Sequence, residues 1–458
     1  MRESQRPQSP WSSLRSGLFV LNLQAWIRRQ PFLQRVYHLF PKKMRNRLTN
    51  ALSARSVAQT RFPRTIAWQA KQEGMIPRQQ GDMGQSPAPQ SPGVNIIGYI
   101  HGEFGLAESA RMYARALINA GVPVALYDID LGLPHSWKDR TMDEFMDERL
   151  PYSVSIVFVN PDYLEAAFAL VGRARMEKRY VIACWFWELE MIPESWREAV
   201  CLVDEIMVAS QFMEDAFRRI THKPIMRLPL PLSEWHDSGL QRPDLGLPLN
   251  KFIFLCTFDF HSFIARKNPH AVVRAFRAAF PADRHDVCLL VKSSNGHLYP
   301  DNMRDLLNAV VGDSRIIVRD EVIDRAHVRA LQRCCDAYVS LHRAEGFGLG
   351  LAECMALGKP VIATGWSGNM EFMTATNSCL IDYDLVPVAG EYPDSSGARW
   401  AEANTASAAE AMRRLADNPA GARALGEVAR SEISIQLSPE RAAQRLLARM
   451  VEVNPAAN

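Results

Sequence analysis

Residues 338–371 read YVSLHRAEGFGLGLAECMALGKPVIATGWSGNME. An apolar run beginning at Tyr338 ends in a loop with glycines at 346, 348 and 350, and the loop opens a helix. A second apolar run, Pro360–Thr364, leads to another small-residue loop carrying Gly365, Ser367, Gly368, Asn369 and Glu371. Glu345 stands just past the first strand and Glu353 inside the helix that follows. Glycines in a strand-to-helix turn let backbone N–H groups approach an anion at the helix start, while carboxylates accept from hydroxyls. A sugar attached to a nucleoside diphosphate needs both kinds of contact.

The surrounding sequence repeats the strand-then-helix alternation. Upstream lie FIFLCTF (252–258), DVCLLVK (286–292), SRIIVRD (314–320) and AYVSLH (337–342). An earlier series comprises VNIIGYI (94–100), PVALYDI (123–129), SVSIVFV (153–159), RYVIACWFW (179–187) and EIMVAS (205–210). Short apolar strands alternating with helices imply parallel sheets. Between the series, residues 224–250 are rich in proline and polar turn residues and read as a connector. The expected organisation is a basic extension and linker at 1–92, one Rossmann-like domain at 93–235 and a second at 251–437. A chain of 458 residues with 47% hydrophobic content has room for two such cores.

In open α/β sheets, ligands bind beyond the carboxyl ends of the strands. Arg266 and Lys267, in the loop after 252–258, and Lys292, at the end of the next strand, therefore face the same crevice as Glu345. Such cations suit a diphosphate leaving group.

The E-x7-E spacing of Glu345 and Glu353, the following strand and the Gly365–Glu371 loop resemble the retaining glycosyltransferases of family 4, which have the GT-B fold. The resemblance runs from about residue 94 to the C-terminus. It implies two Rossmann-like domains facing a central cleft, with the last helix, 438–452, packed back on the first domain. It implies transfer of a hexose, with mannose from GDP-mannose the leading expectation, to a glycan or lipid-linked glycan acceptor in surface polysaccharide synthesis, without metal or other cofactor.

By the same resemblance Glu345, with Lys267 and Arg266, belongs to the catalytic group. Lys292 and the backbone of Phe347, Gly348 and Leu349 contact the donor, and Glu353 accepts from ribose hydroxyls. GYIHGEFGLAESAR (98–111) resembles the family's first-domain glycine loop, so His101, Gly102, Glu103 and Gly105 are expected near the diphosphate or the acceptor. The sequence departs from the family where a Gly-Arg pair usually follows the 252–258 strand; Phe258 and Asp259 stand there, which weakens the phosphate role of Arg266.

Two alternatives remain open at this level: an inverting enzyme with His101 as base, and a non-catalytic protein that binds sugar nucleotides. Trp185 and Trp187 alternate along a strand, as core residues do. Glu188, at the strand's end, is within range of the cleft. Asp128 and Asp130 read as a strand end rather than a metal motif.

Net charge is +3, but residues 1–92 hold 15 Lys or Arg against 3 acids, a surplus of 12 that leaves the remainder at −9. An apolar set (Phe32, Leu33, Val36, Tyr37, Leu39, Phe40) is followed by Lys42, Lys43, Arg45 and Arg47. Residues 17–48 thus suit either an anionic membrane surface or a protein surface, and 77–92 read as a linker. Nucleic acid is not expected, because the body is acidic and no recognisable nucleic-acid module is present. Eight cysteines without C-x2-C pairing imply a reducing compartment. No run reaches the roughly 20 apolar residues of a membrane span. The expectation is a cytoplasmic protein, or one peripheral at the inner face of the cell membrane.

Overall fold

A computed structural model describes residues 93–453 except 134, 233–236 and 391. Of the first 92 residues it describes 18–23, 25–27, 30, 44, 51, 53–54, 57–65 and 67–68. The apolar set at 32–40, the basic residues 42, 43, 45 and 47 and the linker at 77–92 lie outside the described residues.

Six strands form the first sheet: β1 (Val94–Gly98), β2 (Val124–Asp128), β3 (Val154–Phe158), β4 (Tyr180–Cys184), β5 (Glu205–Val208) and β6 (Ile225–Arg227). They are all parallel, in the order β2-β1-β3-β4-β5-β6. The second sheet, also parallel, is ordered β12-β11-β10-β7-β8-β9. It consists of β7 (Phe252–Thr257), β8 (Val287–Ser293), β9 (Ile316–Asp320), β10 (Ala337–Ser340), β11 (Val361–Thr364) and β12 (Cys379–Ile381). The central strands are mostly apolar and are buried along their whole length because helices cover both faces; every residue of β1, β3 and β8 is buried.

Two features differ from the sequence reading. Ile225–Arg227, read as the start of the connector, is the sixth strand of the first sheet, pairing with Ile206–Val208. After β12 the chain adds an antiparallel hairpin, β13 (Tyr383–Pro387) and β14 (Arg399–Ala403), outside both parallel sheets.

Strand order reverses between β1 and β3 in one sheet and between β7 and β10 in the other. A parallel sheet opens a crevice at such a switch point, and the loops after these four strands face each other across one cleft. The helix Pro439–Val453 leaves the second domain and lies along the helix Gly105–Asn119 of the first, where Arg449 donates to Glu205 at 2.8 Å.

The described part of the basic extension packs on the second domain. Leu18, Leu21 and Val57 join its core, and buried Trp68 lies 4.4 Å from the His327 ring. The Phe62 N–H donates to Glu321 at 3.2 Å, and Arg64 pairs with the same carboxylate. All eight cysteines are free thiols, and seven are buried. No described helix is long and apolar enough to cross a membrane.

Candidate active site in the interdomain cleft

The cleft encloses about 640 Å³. Its second-domain side is built on the loop after β10. Gly348 has φ +93°, a backbone conformation that glycine adopts without strain, and it caps the helix Leu349–Ala356. A Cβ on Gly368 would stand 2.1 Å from the Gly346 carbonyl, so the two small-residue loops pack backbone against backbone. Gly368 N–H donates to the Glu345 carbonyl at 2.8 Å, and Glu345 N–H donates to Ser367 Oγ at 2.9 Å. Ser367 itself has φ +78°, a strained value of the kind that gathers at functional loops.

Glu345 pairs with Lys267 and accepts from Arg266 at 3.2 Å. Burial would raise its carboxyl pKa, but Lys267 and Arg266 overcome this and hold it at about 2. Lys267 has no other partner among the described residues, so part of its ammonium remains free to bind an anion. Lys292 donates to Ser294 Oγ at 2.7 Å. Burial lowers its pKa to about 8, opposed by Asp259 and Asp320.

Arg266 is placed differently from the two lysines. Its Nε donates to the Ser262 carbonyl at 3.2 Å, and its Nη1 to the Ala344 carbonyl at 3.0 Å as well as to Glu345. Its Nη2 lies 3.3 Å from Glu188 of the first domain. All three guanidinium nitrogens thus have protein partners.

Glu353 lines the same cleft but accepts from three side chains: Arg325, Arg329 at 2.8 Å and Gln332 at 2.9 Å. Burial is outweighed by Arg325 and Arg329, which lower its pKa. Arg325 also lies 3.8 Å from Glu108 of the first domain, so this charge cluster crosses the cleft. Arg111 holds the other side of Glu108 at 2.8 Å.

The first-domain wall is aromatic. Phe104 stacks on His135 at 4.2 Å, and His135 meets His261 at 5.1 Å. Tyr99, Tyr163 and Phe186 also line it. Trp185 and Trp187 are buried, and Glu188 reaches the cleft.

Of the residues singled out in the sequence, Lys267, Arg266, Lys292, Glu345, Phe347, Gly348, Leu349, Glu353 and Gly105 line the cleft. His101, Gly102 and Glu103 do not. His101 Nδ1 is 2.9 Å from Asp128 and Nε2 is 2.8 Å from Asp143, so β2 and the 143–145 turn capture the ring. Asp128 is thereby occupied as a histidine partner. Tyr392, Arg325 and His135 line the cleft without having been singled out in the sequence. Tyr392 sits in a Pro- and Gly-containing stretch that reads as loop, and Arg325 sits on a helix face that reads as solvated.

Residues 255–446 match a family model described as "Family 4 Glycosyltransferase in conflict systems". The protein is a glycosyltransferase, and its second half carries a family 4 domain. A comparison with curated proteins gives no match. Solved structures that resemble this glycosyltransferase include sucrose-phosphate synthase from Thermosynechococcus elongatus, with TM-score 0.58 and 17% identity over 80% of this chain and 100% of that one. Anabaena HepE, crystallised with UDP and glucose, has TM-score 0.57 and 15% identity over 78% of this chain and 99% of its own. A glycosyltransferase from Rickettsia africae has TM-score 0.57 and 13% identity over 80% and 99%. The two facing parallel sheets of this chain are the GT-B fold.

Proposed function

We propose that this glycosyltransferase holds a nucleotide-diphosphate sugar on its second domain and transfers the sugar, with retention of configuration, to a carbohydrate acceptor lying against the first. The observation that carries this reading is the convergence of Lys267, Lys292, the glycine-started helix at Leu349 and the ionised Glu345 at the β7/β10 switch point, opposite an aromatic wall. Lys267 and Lys292 meet the diphosphate. As the bond from the anomeric carbon to the phosphate oxygen breaks, they and the helix start stabilise the departing charge.

The acceptor hydroxyl attacks from the same face, and its proton passes to the departing phosphate oxygen. Glu345 stabilises the positive charge that develops on the sugar. Positive charge supplied by side chains supports a reaction without metal, so EDTA is expected to leave the rate unchanged. The inverting alternative would need a free base at His101, and the two carboxylates holding that ring count against it.

For the donor, GDP-mannose is the expectation from sequence. The UDP and glucose bound to HepE support a UDP-hexose as the competing reading. The acceptor is a glycan or lipid-linked glycan. Exposed Phe19, Leu23, Trp26 and Ile27, within an extension of strong positive charge, support presentation of that acceptor at an anionic membrane. Calorimetric titration with UDP, GDP, ADP and dTDP tests the donor reading. One nucleotide is expected to bind, and to bind about tenfold or more weakly in Lys267→Ala; no binding by any of them would sink the proposal. The anomeric configuration of the product tests retention, and co-sedimentation with phosphatidylserine vesicles tests the membrane reading.

A further inference from the structure

Glu188 comes from the first domain, at the end of the chain segment that follows β4, yet both its oxygens are held by the second. Oε1 lies 3.3 Å from Arg266 Nη2, and Oε2 accepts from the Tyr392 hydroxyl at 2.7 Å. Tyr392 sits between β13 and β14, the hairpin outside both sheets. Its ring packs on Phe263 at 4.9 Å and on Trp187 at 5.8 Å. The hairpin is anchored beside the donor loop: Ala401 N–H donates to the Arg343 carbonyl at 2.9 Å, and Arg343 Nε donates to Glu402 at 2.6 Å. A continuous polar chain therefore runs Tyr392–Glu188–Arg266–Glu345–Lys267, from second domain to first and back.

We propose that Glu188 and Tyr392 are positioning residues: Glu188 holds the Arg266 guanidinium in the orientation that fixes Glu345 at the sugar, and Tyr392 holds Glu188. This rests on the donor cleft proposed above and assigns Arg266 to orientation rather than to phosphate binding. An arginine whose three nitrogens are already engaged gains little by turning to a phosphate, because its present partners would be left buried and unpaired. A lysine with a single carboxylate partner has donors to spare. The arrangement also needs both domains. Arg266 and Lys267 reach Glu345 from its own domain, but the carboxylate that holds Arg266 Nη2 comes from across the cleft.

The experiment uses the full chain and needs no acceptor. Nucleotide release from UDP-glucose and GDP-mannose into water is followed alongside the dissociation constants of UDP and GDP. Glu188→Ala and Arg266→Gln are each expected to lower kcat by about tenfold or more, since small misplacements of a reacting group are costly. They should leave the dissociation constant of the bound nucleotide within about twofold, as expected for a loss confined to the transition state. Lys267→Ala should weaken nucleotide binding by about tenfold or more, because a charge-assisted contact is lost.

Tyr392→Phe keeps the ring and removes only the hydroxyl, so it carries the test if the larger changes impair folding; a fall in kcat of roughly two- to fivefold is expected from the loss of one such hydrogen bond. Arg266→Gln also removes a cation that keeps Glu345 ionised, so the acid limb of its kcat profile should move to higher pH, a change that loss of packing alone would not produce. Nucleotide binding weakened as much in Glu188→Ala as in Lys267→Ala would overturn the proposal, as would unchanged kcat. A wild-type protein that binds none of UDP, GDP, ADP and dTDP would overturn the donor reading and this one together; a binding wild type with a neutral Glu188→Ala would overturn this one alone.

Discussion

Glu345 and Glu353 are eight positions apart on one loop and helix, both buried and both held ionised, yet the structure treats them differently. Glu345 is clamped by one arginine and one lysine, and the lysine keeps free donors toward the cleft. Glu353 is the centre of a filled network in which Arg325, Arg329 and Gln332 all donate to it. Spacing in sequence puts two carboxylates beside one cleft. What each can do is decided by side chains from other strands and from the opposite domain.

The largest expected effect separates catalysis from binding. Glu345→Gln keeps the size of the side chain but removes the charge that would face the sugar. A loss of kcat on the order of a thousandfold is expected, comparable to removing a preorganised electrostatic group elsewhere, with nucleotide affinity little changed. Steady-state rates and calorimetry on the same variant would check the split. A loss of affinity without loss of kcat would make Glu345 a ground-state ligand and erase its difference from Glu353.

Glu353→Ala breaks the comparison from the other side. It removes the carboxylate that the buried Arg329 donates to, while the partly exposed Arg325 keeps Glu108, and breaking a buried pair costs about 3–5 kcal/mol. A drop in stability of that size in urea denaturation is expected, with weakened nucleotide binding following from the disturbed helix. A variant of wild-type stability that merely lost affinity would mean that Glu353 serves the ribose first and the arginine cluster second.

A third test concerns Lys292, whose pKa falls from 10.5 to about 8 through burial. Between pH 8 and 10.5 the unfolded chain binds a proton that the folded chain has released, so stability should rise with pH across this window. Affinity for a nucleoside diphosphate should move the opposite way. A phosphate favours the protonated lysine, so binding weakens as pH rises past 8, and near that pH it takes up a proton. Calorimetry in buffers of different ionisation enthalpy measures this uptake. In Lys292→Met both slopes should flatten, and persistence of the binding slope would remove Lys292 from the diphosphate.

Much of the fold was legible because parallel sheets buried on both faces require predominantly apolar runs, and VNIIG, SVSIVF, FIFLCT and VCLLVK are such runs. Strand β6 was hidden because three residues, Ile225–Arg227, lie among prolines and carry little periodic signal. The hairpin that delivers Tyr392 was hidden because YDLVPVAGEYPDSSGARW has the composition of a loop. Lys267, Lys292 and Glu345 could be gathered into one cleft from strand ends alone. The network around Glu353 could not, since Arg325 and Arg329 at i and i+4 look like any solvated helix face. Only tertiary packing turns that face inward.

His101 gives the smallest expected effect and the sharpest contrast with the glutamates. A histidine after the first strand invites a reading as a base, yet both ring nitrogens are taken up by carboxylates of its own domain, 2.9 Å from Asp128 and 2.8 Å from Asp143, and the ring does not line the cleft. The ring and those carboxylates fix the first-domain loop rather than serve the cleft. His101→Ala should therefore change kcat by no more than about twofold, as for a residue outside the reacting geometry, while lowering stability modestly through loss of the ring's contacts with Asp128 and Asp143. A loss of kcat approaching that of Glu345→Gln would mean that the loop rearranges on substrate binding and presents the ring to the acceptor. First-domain chemistry would then enter through His101 rather than through Glu188.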